Sequence, residues 1–362
     1  MSSEKPDIRL IEPLTSIRFF AALAVVVFHS GASWMSANAH VPVPVKTLLL
    51  NGYLGVTFFF VLSGFILQFT YRGRILSGDE IKRFAVARFA RLYPVYVLAV
   101  LAMFPFIVPG GWGDLPQFFL LHRWIPNGAQ DWSNWNMPSW TLSVEFFFYL
   151  CFPLLSGALK ATGTRWLIAI VATAIGFDLV TASSQVVDNR QVMFGWMHWA
   201  PIPILRLPEF IIGICAAEMS LRGIRLPIPS WLPAIALVIG LCLTGSPHVA
   251  AFATAMAALL ILCVANENNS LFARVLSIRS LVVLGGASYS LYLMHQPVHF
   301  AVTTLLGTSK TVVVLQYPIL ISGSVAIFFW YEEPLREWIR RRIGMRPSAI
   351  EGVAGTHTTL TP

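Results

Sequence analysis

LTSIRFFAALAVVVFHSGASW, residues 14–34, decides the fold, because it is apolar enough to cross a bilayer yet carries Arg18 and His29. A spanning helix needs roughly 20 mainly apolar residues. Arg18 and His29 are eleven positions apart; at ~100° per residue this is about three turns plus 20°, so both lie on one helix face. At ~1.5 Å rise they are separated by roughly 16 Å along the axis. Arg18 is then expected at one membrane surface and His29 near mid-depth. A charge at the bilayer centre costs on the order of 2.5–3.5 kcal/mol on insertion scales, so an ionisable group at that depth points to function. The plainer alternative is that Arg18 snorkels and His29 merely bonds a neighbouring helix.

The rest of the chain agrees with a membrane protein. Of its 362 residues, 56% are hydrophobic and 12% charged, against about 25% charged in soluble domains. The net charge of +8 is not read as nucleic-acid binding, because lysine and arginine concentrate in cytoplasmic loops of such proteins. Cys151, Cys215, Cys242 and Cys263 lie in apolar runs and read as packing residues, with no metal-ligand spacing.

Apolar runs near 14–34, 51–70, 84–108, 138–157, 164–181, 202–220, 231–243, 249–265, 281–306 and 312–331 predict an all-α bundle of about ten transmembrane helices. Pro297 is a candidate break in the ninth. With both termini in the cytoplasm, the inner loops hold 17 of the 25 lysines and arginines. The outer side holds Lys46, Arg123, Arg190 and Lys310, while Arg18, Arg88, Arg91 and Arg206 sit at helix ends. That bias supports the count, since one missed helix would scramble the alternation. Residues 1–13 read as a polar cytoplasmic tail without a cleavage signature, and 14–340 as the membrane domain. Residues 341–362 read as a cytoplasmic tail, disordered over its small polar stretch 347–362.

Four stretches carry chemistry. In RFAVARFARLYP (83–94), Arg88 and Arg91 share a helix face one turn apart. They either anchor at headgroups or receive phosphate, which the planar guanidinium pairs bidentately. In PSWTLSVEFFFYLCFPLL (138–155), Glu145 is an isolated carboxylate expected near the depth of His29, where an imidazole partner would keep it ionised. The loop 109–137 holds Trp112, Trp124, Trp132 and Trp135, either an interfacial belt or, with Trp140, a set of indole faces for sugar rings. Weaker candidates are Arg206 and Glu209 in RLPEF, which could be a structural ion pair, and Tyr289, Tyr292 and His295 in GASYSLYLMHQPV. Glycines and Ser63 in GYLGVTFFFVLSGFIL (52–67) read mainly as close helix packing.

These stretches, in this order, resemble the acyltransferase-3 group of bacterial integral-membrane O-acyltransferases. Arg18 and His29 match its arginine–ten–histidine pattern, and Arg88 and Arg91 its arginine pair. GYLGVTFFFVLSGFIL, SWTLSVEFFFYLCFPLL, RLPEF, ASYSLYLMHQPV and EEP are similar to family segments. The family's SVEEQFY is SVEFFFY here, so Glu145 is kept while its second acid is Phe146.

The resemblance implies transfer of an acyl group, usually acetyl, from cytoplasmic acyl-CoA to a hydroxyl of a cell-surface glycan or lipid-linked oligosaccharide. On that reading His29 and Glu145 are catalytic, and Arg18, Arg88 and Arg91 bind the acyl-CoA phosphates. Trp135, Trp140, Arg206, Glu209 and Tyr292 are the acceptor-side candidates. Acetyl-CoA is a co-substrate, with no resident cofactor or metal. The implied partners are the bilayer of the bacterial inner membrane, the glycan or glycolipid acceptor, and enzymes of polysaccharide assembly. The rival classes are a glycolipid or small-solute transporter, disfavoured by the lack of an internal repeat, and a non-catalytic scaffold.

Overall fold

The computed structural model describes residues 12–38, 40–73, 77–107, 114–124, 135–182, 200–246, 248–267 and 270–342. The tails 1–11 and 343–362 lie outside them, as do Trp112, Trp132 and Arg190. All regular structure among the described residues is helical. The principal helices are α1 (Glu12–Ala37), α2 (Gly55–Tyr71), α3 (Gly78–Met103), α4 (Trp140–Ala161), α5 (Thr164–Ala182) and α6 (Leu207–Leu221). There follow α7 (Trp231–Leu243), α8 (Val249–Asn266), α9 (Arg279–Gly286), α10 (Ser288–Leu306), α11 (Lys310–Ile327) and α12 (Glu333–Arg342).

Each expected apolar run is helical, and seven helical segments among the described residues are long and apolar enough to span a membrane. The molecule is a polytopic helical bundle. The other expected spans are shorter, as in the 13 residues of α7, or more polar, as in α10 with His295, Gln296 and His299.

Local chemistry sets several boundaries. Ser77 and Glu80 form a capping box that starts α3, satisfying two orphan N–H groups at its first turn. The run 202–220 divides at Arg206, and Pro208 sits in the first turn of α6, where its missing N–H costs nothing. The break expected at Pro297 is elsewhere. Pro297 lies inside α10, and the chain turns at Ala287, between α9 and α10. The reason is packing: a Cβ on Gly285 would stand 1.9 Å from the Thr15 carbonyl oxygen of α1. That approach fixes the end of α9 before the proline is reached.

The centre of the bundle is the α2–α6 contact. A Cβ on Gly64 would meet the Phe210 carbonyl at 2.1 Å, and one on Gly213 the Val61 carbonyl at 1.9 Å. Backbones touch here because both positions lack side chains, the usual basis of tight helix pairs in lipid. Phe60, Phe148, Phe152 and Phe210 fill the space around this seam. Stacking of Phe148 on Phe210, at 4.6 Å between centroids, ties α4 to α6. At one end of the seam, fully buried Glu218 accepts from Gln68 at 2.6 Å and from Arg72 at 2.8 and 3.1 Å. Cys215 and Cys263 are buried, Cys151 and Cys242 half-buried, and all four are free thiols, in keeping with packing.

Candidate functional site

Along α1, residues 18, 22, 25 and 29 recur at three- and four-residue steps, so Arg18 and His29 share the face turned into the bundle, with Ala22 and Val25 buried between them. Beside the Arg18 end, α1, α2, α3, α4, α9, α10, α12 and the turn after α11 line a cavity of about 180 Å³. Arg18, Arg88, Arg91 and Arg336 line it together with Glu145 and Glu332. The remaining wall is largely apolar, from Leu14, Phe59, Phe60, Leu67, Leu142 and Phe328, with Ser63, Tyr71, Tyr289 and Tyr292 also lining it. Four guanidiniums face two lining carboxylates, with Glu333 paired to Arg336 beside them, so the wall is net positive and the cavity suits an anion attached to an apolar or thin polar arm.

The arginines are held in place before any ligand arrives. Arg88 is buried, donates to the Tyr71 hydroxyl at 3.3 Å, and stands 5.6, 5.9 and 6.0 Å from the Tyr71, Phe84 and Tyr149 rings. Such guanidinium–aromatic contacts fix the plane of the fork. Arg336 pairs with Glu333 one turn away. Arg18 lies in the electrostatic field of Arg91 and Arg336 and of the carboxylates Glu332 and Glu145.

Glu332, marked in the sequence only by the EEP segment, lines the cavity. It ends a π-helical turn, Phe328–Glu332. The extra residue in that turn rotates Glu332 inward, where it is buried and accepts from Ser290 Oγ at 2.6 Å. π-turns within helices often mark functional positions. The acidic pair before Pro334 was the available signal; the rotation was not visible.

Glu145 does not pair with an imidazole as expected. Its carboxylate accepts from the Tyr149 hydroxyl, one turn along the same helix, and from Ser63 Oγ at 3.2 Å. Tyr149 and α2 intercept it on the cavity side. The ring partner of His29 is instead His295 of α10, stacked with centroids 5.1 Å apart and planes 20° from parallel. His29 is not among the cavity-lining residues. Tyr292 is, and its ring centroid is 6.0 Å from that of His295. The Tyr292 hydroxyl donates to the Pro138 carbonyl and accepts from Thr141 Oγ1, both at 3.2 Å. Tyr292 therefore stands between the arginine-lined cavity and the histidine pair.

Beyond the pair, polar contacts continue away from the arginines. His299 Nδ1 bonds Gln316 Oε1 at 2.8 Å, and the Ser30 and Tyr317 hydroxyls bond at 3.0 Å.

The other acceptor-side candidates are placed differently. Arg206 and Glu209 form the ion pair, at 2.9 Å, and Arg206 also donates to Thr57 Oγ1 at 3.1 Å; neither lines the cavity. Trp135 does not offer an open indole face. It is buried edge-on against Phe118, and its backbone N–H donates to Gln117 Oε1. Trp140 is half-buried and edge-on to Phe60.

Comparison with known proteins points the same way. Residues 13–333 match the family model described as an acyltransferase domain. The acyltransferase MdmB of Streptomyces mycarofaciens is 32% identical over 313 residues, 80% of this chain and 79% of that protein. The exopolysaccharide production protein ExoZ of Rhizobium meliloti is 28% identical, over 84% of this chain and 94% of its own length. The O-acetyltransferase OatA of Staphylococcus aureus is 25% identical over 80% of this chain, which spans 51% of that longer protein. No solved structure matches.

Proposed function

The chain belongs to the acyltransferase domain family and is a multi-pass membrane O-acyltransferase; from that premise we propose that it takes an acetyl group from acetyl-CoA and places it on a hydroxyl of a cell-surface glycan or lipid-linked oligosaccharide. The observation that carries this is the convergence of Arg18, Arg88, Arg91 and Arg336 on one cavity, where the guanidiniums outnumber the carboxylates Glu145, Glu332 and the Arg336 partner Glu333. The arginine-rich end faces the cytoplasm of a bacterial inner membrane, the orientation favoured by the lysine and arginine bias. Arg18, Arg88 and Arg91 hold the phosphates of the donor. Its pantetheine arm passes Tyr292 and delivers the thioester to His29, which serves either as base on the acceptor hydroxyl or as first recipient of the acetyl group. Glu145, held by Tyr149 and Ser63, faces the donor arm and orients it. A positioned base contributes typically 10²–10⁴-fold, and proximity of the two substrates supplies the rest. The name of ExoZ favours an exopolysaccharide acceptor.

The test uses the purified full-length protein in nanodiscs with acetyl-CoA. Calorimetric binding is expected, weakened at least tenfold by Arg91→Ala, with a matching loss of surface O-acetyl groups by proton NMR in cells carrying that variant. A protein that ignores the nucleotide, or glycans that keep their acetyl groups, would refute the reading and favour a transporter.

A further inference from the structure

We propose that His295 is a second catalytic residue: its Nε2 takes the proton of the acceptor hydroxyl while His29 carries the acyl group. The inference rests on the acyl-CoA reading above and adds the division of labour between two imidazoles.

Three observations lead there. First, the two rings are stacked although 266 positions apart in the chain. Two imidazolium ions at that spacing would repel strongly, so the pair holds at most one proton beyond neutrality and works as a unit. Second, the tautomer of His295 is set by its surroundings. Nδ1 faces the Tyr292 carbonyl oxygen, which can only accept, so Nδ1 carries the hydrogen and Nε2 keeps a bare lone pair. His295 is buried, and that Nε2 has no hydrogen-bond partner among the described residues. A buried acceptor left bare is costly, and its retention calls for a use. Third, the titratable and polar groups around the pair lie on opposite sides. Tyr292 lines the donor cavity, while His299, Gln316, Ser30 and Tyr317 continue the polar track away from it. Donor and acceptor thus reach the histidines from opposite directions.

The chemistry needs two such groups. The His29 lone pair attacks the thioester carbon; the N–C bond forms, the C–S bond breaks, and the pair leaves on sulfur as thiolate. Acylated, His29 has spent that lone pair and cannot serve as base. Glu145 is tied to Tyr149 and Ser63. The acceptor oxygen then attacks the carbonyl. Its O–C bond forms, the C–N bond breaks with the pair returning to His29, and the hydroxyl proton passes to His295 Nε2. That proton returns to solvent, which protonates the thiolate, giving free thiol and ester.

The test labels full-length protein in nanodiscs with radioactive acetyl-CoA and follows loss of label to water and to methyl glucoside. His295→Asn keeps an amide N–H for the Tyr292 carbonyl but has no base at the Nε2 position. It is expected to take up label at the wild-type rate and to lose it on the order of 10²–10⁴-fold more slowly. Hydroxylamine, which needs no base, should strip both proteins equally. His29→Ala should take no label. Wild-type deacylation should slow in deuterium oxide while hydroxylamine release does not, a measurement independent of how well the variant folds. Wild-type deacylation by His295→Asn, loss of its labelling step, or absence of a solvent isotope effect overturns the role of His295. Absence of label on the wild-type protein overturns the underlying acyl-His29 reading with it.

Discussion

Replacing Arg88 with lysine separates charge from geometry in the donor cavity. Arg88→Lys keeps the positive charge but loses the planar fork, the contacts with the Tyr71, Phe84 and Tyr149 rings, and the bond to the Tyr71 hydroxyl. Were charge alone at work, the Coulomb attraction to a phosphate at ~4 Å, about 4 kcal/mol at an effective dielectric of 20, would be retained. A bidentate arginine, however, makes one more charge-assisted hydrogen bond than lysine offers, at about 1.5–3 kcal/mol. Lysine must also shed a tighter hydration shell to enter a buried site. A loss of about 2–3 kcal/mol is expected, roughly 30- to 160-fold in affinity. Titration calorimetry of coenzyme A against wild type, Arg88→Lys and Arg88→Ala in nanodiscs measures this, with melting temperature as the control for folding. Binding by Arg88→Lys within threefold of wild type would refute the argument, because the aromatic cage would then be packing and nothing more.

Four further substitutions test the scaffold. Gly213→Ala drives a methyl into the Val61 carbonyl and should destabilise the protein by more than the usual overpacking cost of about 1–3 kcal/mol. Gly176→Ala, with nothing within 4 Å, should be neutral or stabilising by up to ~1 kcal/mol; melts in detergent compare the two, and equal melts would refute the packing argument. Glu218→Gln leaves Arg72 and Arg222 without their carboxylate. Breaking a buried pair costs about 3–5 kcal/mol, but both arginines reach solvent in part, so the lower end is expected; an unchanged melting temperature would sink this. Buried His122, between α3 and α4, is held neutral down to about pH 3 by burial first and by Arg123 second. Its folded pKa is depressed, so its full contribution is present above pH 6.5 and is lost as pH falls from 6.5 towards 3, about 2 kcal/mol by pH 5. His122→Asn should flatten the fall in melting temperature between pH 7.5 and 5, and an unchanged slope would count against the reasoning.

Much of this protein was legible in its residues. Helix positions followed from the length of apolar runs, because a bilayer permits few other backbones. The shared face of Arg18 and His29, and that of Arg88 and Arg91, followed from helical periodicity. What periodicity cannot say is which face of a distant helix comes to meet a residue. Glu145 was expected beside His29, but Tyr149, one turn along its own helix, and Ser63 on α2 claim it. His295 takes the place beside His29 because the Gly285 contact with Thr15 seats α9 against α1 and α10 follows directly after the turn at Ala287. The extra residue of one π-turn brings Glu332 inward. A one-dimensional pattern fixes the angle of a side chain about its own axis, whereas the depth and rotation at which two helices dock are set by atomic contact between them. Those contacts decided the neighbours of the imidazole, and with them the chemistry open to it.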